Sequence, residues 1–160
     1  MHDEGARRMP TSLLFLVLLL LAGAGCSTVP LPPADFAAPG WTVQSGQAVW
    51  KSSSSGAELT GDLLLATNAN GSSFIQFSKM PFPLVTAQAT GGQWQIEFGA
   101  NQYAWHGQGL PPHRFAWFQL PHALLGTTPD SPWRFTPGTN SLWRLDNPDT
   151  GEFVEGTFSP

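Results

Sequence analysis

Residues 93–98 read QWQIEF, with Trp94, Ile96 and Phe98 at every second position and Gln93, Gln95 and Glu97 between them. Successive side chains of an extended strand point to opposite faces, so this period of two puts three large apolar groups on one face and three polar groups on the other. The stretch predicts a half-buried β-strand, and its surroundings extend the prediction in both directions. In ELTGDLLLAT (58–67), Leu59, Leu63 and Leu65 share one register, with Gly61 expected to mark a bulge or a strong bend. ATNANGSSF (66–74) turns the chain, because Asn70-Gly71 favours positive φ, and Ile75 and Phe77 continue on the next strand. Further strands are expected around 43–50, 84–89, 102–106, 142–145 and 152–158.

Composition agrees with a single aromatic-cored β-domain. The chain has 160 residues with 7 Trp, 11 Phe, 17 Gly and 15 Pro, while charged residues make up only 11%, well below the usual quarter. Seven Lys and Arg against 11 Asp and Glu give a net charge of −4. That balance leaves no cationic face for a polyanion and argues against a nucleic-acid partner.

The amino terminus reads as a secretory leader over 1–25. Arg7 and Arg8 precede an apolar run over 13–22, and small residues then lead into Cys26, the one cysteine of the chain. The run is short for a bilayer span, which wants about 20 apolar residues, and a disulfide within the chain is excluded. Two readings of Cys26 remain on these residues: a chance residue beyond an ordinary cleavage site, or a lipid anchor. The Leu-rich run followed by small residues, Cys26 and Ser27 resembles the lipobox of bacterial lipoproteins, although Gly23 stands where leucine is usual. That resemblance implies a diacylglyceryl thioether on Cys26 and a membrane attachment through it, facing the periplasm in the bacterial cell envelope. Ser27 is similar to the signal for outer-membrane sorting. The Pro-rich segment over 26–40 reads as a tether, since proline removes backbone donors and fixes φ.

One segment breaks the β pattern. In RFAWFQLPHALLG (114–126) the apolar residues do not alternate, Gly126 offers a helix stop and Pro121 opposes one unbroken helix, so a short helix or two turns is expected. Such an element would cover the concave side of a curved sheet. The order of an anchoring cysteine, ELTGDLLL, SFIQFSKMPFPLV, QWQIEF, RFAWFQLPHALLG and a final β-hairpin resembles the LolA/LolB superfamily of envelope lipoprotein carriers and receptors. The resemblance covers 41–160 as a pattern. It implies a mainly β fold, a curved antiparallel half-open barrel with one or two short helical lid segments around a hydrophobic cavity. It also implies an acylated protein or lipid as cargo and a periplasmic carrier protein as partner. The domain is shorter than is usual in that superfamily.

For the cavity, Phe115, Trp117, Phe118, Leu120, Leu124 and Leu125 on the lid are expected to face Trp94, Ile96 and Phe98 on the sheet. The alternative is that the same residues fill a solid core. In KMPFPLV (79–85), Pro81 and Pro83 force an extended loop that either presents Phe82, with Met80 and Leu84, or lets Phe82 fold back onto the core; for a presented apolar residue the resemblance implies a role in membrane insertion. No enzyme site assembles: His106, His113 and His122 lack zinc spacing, no nucleophile or phosphate-loop motif occurs, and Glu58, Asp62, Glu97 and the acidic group Asp146, Asp149, Glu152 and Glu155 read as outward-strand and turn solvation rather than a paired carboxylate site. NPDTGE (147–152) reads as a hairpin loop with Gly151 at the turn. The reading needs no cofactor. A second reading keeps the domain as a rigid platform for an envelope complex.

Overall fold

Trp94, Ile96 and Phe98 do lie on one face, in a strand that pairs on both sides. The computed structural model describes residues 30–99, 103–139 and 141–159. The expected leader, Cys26 and the first residues of the expected tether lie outside the described residues. The strands are β1 (Trp41–Lys51), β2 (Glu58–Asn68), β3 (Ser73–Lys79), β4 (Phe82–Ala89), β5 (Gln93–Phe98), β6 (Tyr103–Gln108), β7 (Arg134–Pro137), β8 (Leu142–Asn147) and β9 (Glu152–Phe158), with helix α1 (Ala116–Leu124) after β6. All pairings are antiparallel. The order is β6-β5-β4-β3-β2-β1-β9-β8-β7. The sheet therefore stays open, with β6 and β7 as its edges.

Its curvature follows from one contact. β1 and β5 are four places apart in the sheet order, about 19 Å in a flat sheet at ~4.8 Å per strand. Yet the rings of Trp50 on β1 and Phe98 on β5 have centroids 6.2 Å apart. Only a strongly bent sheet brings them together. The expected mainly β, curved, half-open architecture is what the chain adopts. Along the inner face run Ala48, Leu63, Leu65, Ile75, Phe77, Val85, Ala87, Ile96, Leu145 and Val154, all 2% exposed or less.

Gly61 makes neither a bulge nor a break in the pairing of β1 with β2. It serves close approach instead, because a Cβ there would lie 2.4 Å from the Ser78 carbonyl oxygen and 3.0 Å from the Phe77 ring. The irregularity falls one hairpin later. Phe77 pairs with Val85 but Ser78 pairs with Pro83, leaving Leu84 as the extra residue of a bulge. β7 was not expected from the sequence. It is a four-residue edge strand whose surroundings carry Pro129, Pro132 and Pro137, and such short proline-flanked edges leave little periodicity to read.

α1 is a single helix with Pro121 inside it, rather than separate turns. Its local signals are poor: no side chain caps the start, no acidic residue lies in the first turn, and Pro121 lacks the N–H that would reach the Trp117 carbonyl. Nine residues cannot hold a helix alone. Burial of Trp117, Phe118, Leu120 and Ala123 against the sheet offsets the cost, at ~1.5–3 kcal/mol for each large side chain. The end is sharply defined. Gly126, at φ 86°, donates to the Ala123 carbonyl at 3.0 Å and Thr127 to the His122 carbonyl at 3.0 Å, a Schellman closure.

The described part of the expected tether is fastened down. Residues 30–40 cross the outer face of the sheet from β5 to β2, where the Leu31 amide donates to Gln95 at 2.7 Å and Gln88 donates to the Pro32 carbonyl at 3.2 Å. Phe36 then packs edge-on against Phe74 and Trp41, at centroid distances of 5.0 and 5.6 Å. The polar face of QWQIEF thus holds a strap rather than only water. Among the described residues no helix is long and apolar enough to cross a membrane.

Candidate functional site

The middle of the concave face is filled. Trp117 is 1% exposed, stacks on Phe77 at 5.6 Å and meets Trp50 edge-on at 5.4 Å. Leu120, Phe118 and Ile96 are buried beside it, and Trp94 packs edge-on against Phe118 at 5.8 Å. These five predicted cavity residues, Trp94, Ile96, Trp117, Phe118 and Leu120, are brought together as expected. They form core packing, because the helix drops its largest side chains into the bend of the sheet, and of the five Phe118 also borders a small hollow of about 150 Å³ beside Leu110, Pro111 and His122.

Open space survives on the flanks of α1. A hollow of about 400 Å³ is lined by Trp50, Phe98, Tyr103, Trp105 and Phe115, with Ser52, Arg114 and Glu152 as its polar members. The sheet builds it from distant strands: Phe98 pairs with Tyr103, while Trp50 pairs with Val154, next to Glu152 on the same inner face. Phe98, Trp105 and Phe115 touch one another at centroid distances of 5.7 to 6.2 Å. On the other flank, Ala123, Leu124, Trp133, Phe135 and the 126–129 turn enclose about 620 Å³. The two hollows share no lining residue.

Glu152 is the chemically unusual group. It lies on the inner face and accepts a hydrogen bond from the Trp50 indole at 3.1 Å. Burial raises its pKa from 4.5 to about 7, against the smaller opposing pull of that hydrogen bond. The expectation that it solvates a turn is overturned, since only pairing with β1 reveals which way it faces. Between pH 4.5 and about 7 the carboxyl is neutral in the folded protein and ionised in the unfolded chain. Stability should therefore fall as pH rises through that window, by on the order of 2 kcal/mol, and level off above it. Urea unfolding at pH 5 and pH 8 measures this, and Glu152→Gln should flatten the difference.

A third feature lies on the same rim. The β3–β4 hairpin carries Met80 at 83% and Phe82 at 69% exposure, so Phe82 does not fold back onto the core. The antiparallel register places this tip at the end of the sheet that also carries Phe98, Tyr103 and Glu152.

No protein-family model matches the chain, and no curated protein matches it in sequence.

The predicted residues thus divide. Phe98 and Phe115 line the aromatic hollow, and Leu124 lines the other. Leu125 is 68% exposed beyond the last turn of α1 and faces neither, because the helix ends before it. In place of the expected extended loop there is a two-residue turn, with Met80 in it and Phe82 as the first residue of β4; both are exposed, but Leu84 does not join them: as the bulge residue it packs against the core. Sequence reasoning missed Trp50, Tyr103, Trp105, Arg114 and Glu152 as one group. The alternation of Tyr103 and Trp105 was a usable signal for an inward face.

Proposed function

We propose that this chain is a lipid-anchored envelope protein that takes up a hydrophobic or acylated cargo at its aromatic hollow and passes it to a membrane. The observation that carries the proposal is the shared rim: an open apolar-walled hollow and an exposed apolar hairpin tip occupy the same end of the sheet. Exposed Met80 and Phe82, side by side at one hairpin tip, suit entry into a bilayer interface. The lipobox-like sequence at Cys26 and the resemblance of the element order to the LolA/LolB superfamily support the same reading. At about 400 Å³ the hollow is near the small end of ligand sites, ~300–1,000 Å³. It admits one chain or part of a cargo rather than enclosing a whole acylated protein. Transfer runs on relative affinity, at ~25 cal/mol per Å² of apolar area sheltered.

Native mass spectrometry of protein released gently from membranes tests this. An acylated adduct should accompany the native chain and be lost from Trp105→Ala, whose ring is 40% exposed and can be removed without opening the core. Repeated absence of any adduct from the native chain counts against cargo binding. A platform role is favoured by a different observation, the solid centre under α1 together with the open edge strand β6. On that reading a partner strand would pair with β6, and cross-links from β6 to another envelope protein would identify it.

A further inference from the structure

The polar members of the aromatic hollow exceed what an acyl chain needs. Arg114 and Glu152 line one space, yet no ion pair joins them among the described residues, and burial rather than a neighbouring cation dominates the state of Glu152. The guanidinium lies 4.7 Å from the centroid of the Phe115 ring, on the lid side. The carboxyl lies on the sheet side against Trp50. A desolvated carboxyl without a countercharge is costly, and one facing aromatic walls is a setting in which organic cations bind. Arginine, in turn, is the side chain best shaped for phosphate.

Resting on the reading of this hollow as the ligand site, we propose that it receives the zwitterionic headgroup of a phospholipid, with the ammonium among Trp50, Phe98 and Trp105 against Glu152 and the phosphate toward Arg114. Opposite charges held at separate points of one hollow, Arg114 over Phe115 and Glu152 against Trp50, then select both the class of cargo and its direction of entry. The start of one acyl chain shares the hollow with the headgroup, sheltered against Phe115 and Tyr103, and the rest runs to the rim, where Met80 and Phe82 meet the bilayer.

Full-length protein in maltoside micelles at pH 8, with its indole N–H signals followed by NMR, provides the test. Choline and phosphocholine should move the Trp50 and Trp105 signals. Glu152→Gln keeps an acceptor for the Trp50 indole but should weaken both ligands about fivefold or more. Arg114→Gln should weaken phosphocholine several-fold and leave choline unchanged. Dihexanoyl phosphatidylcholine, compared at its free concentration outside the micelles, should bind more tightly than phosphocholine; equal or weaker binding on that scale would overturn the lipid source and assign the site to a free zwitterion. Decanol, titrated in parallel, separates the two levels. If decanol binds and choline does not, or if choline binds native and Glu152→Gln protein equally, the headgroup assignment fails while the cargo reading stands. If neither decanol nor choline binds, both fail. Trp105→Ala, at the exposed wall, gives the same comparison should Glu152→Gln not fold.

Discussion

Trp117→Ala should lower the stability of the domain by about 3–5 kcal/mol, the range for removing a large buried aromatic side chain. For a chain of this size that corresponds to a fall of roughly 10 °C or more in Tm. The expectation rests on position as much as on size. Trp117 is 1% exposed and touches both Phe77 and Trp50, so it ties α1 to two strands of the bend at once. With a poorly capped start and an internal proline, the helix has no local stability to fall back on. Trp117→Phe should behave differently. The indole N–H of Trp117 finds no partner among the described residues, and leaving such a donor unpaired costs ~1–3 kcal/mol. Phenylalanine removes that penalty while keeping most of the ring, so its cost should stay within ~1.5 kcal/mol. Urea denaturation of both variants gives the comparison, and an alanine variant as stable as the phenylalanine one would show that α1 does not depend on this plug.

Replacing Met80 and Phe82 together by aspartate should leave the fold unchanged, within ~0.5 kcal/mol, yet slow delivery of bound cargo to vesicles by about 100-fold or more. Both side chains face solvent, so little packing is lost. Each is worth ~1.5–3 kcal/mol when buried in an apolar phase, and aspartate reverses the sign of the interaction with the interface. The measurement is the rate at which a fluorescent acyl probe moves from protein to liposomes, with Tm as the control. An unchanged rate would remove the hairpin tip from the mechanism.

The strands of this fold are legible in its sequence because their pattern is local. QWQIEF and ELTGDLLLAT declare their faces within ten residues, and the structure places those faces as read. The curvature is not local. It depends on Trp50 meeting Phe98 across four strand positions, which no periodicity records. The same holds for the hollow. Trp50 and Glu152 are hydrogen-bonded across 102 residues of sequence, so Glu152 looks like one more acidic turn residue until β9 is paired with β1. The lid segment is an intermediate case: its apolar content and Gly126 stop are plain. Whether its rings line a void or fill it depends on how closely the sheet bends around them. Residue composition carries no measure of that bend.

The strap over β5 to β2 has a consequence for where the molecule can work. Four backbone steps separate Cys26 from Pro30, at most about 14 Å of extended chain, and beyond Pro30 the polypeptide is already pinned to the sheet by Leu31 and Pro32. Acylation of Cys26 would therefore moor the domain on a very short leash, with its convex side near β5 turned toward the headgroups. So berthed, the domain would have no stalk on which to swing, and what its hairpin tip could reach would be a neighbouring patch of the same bilayer.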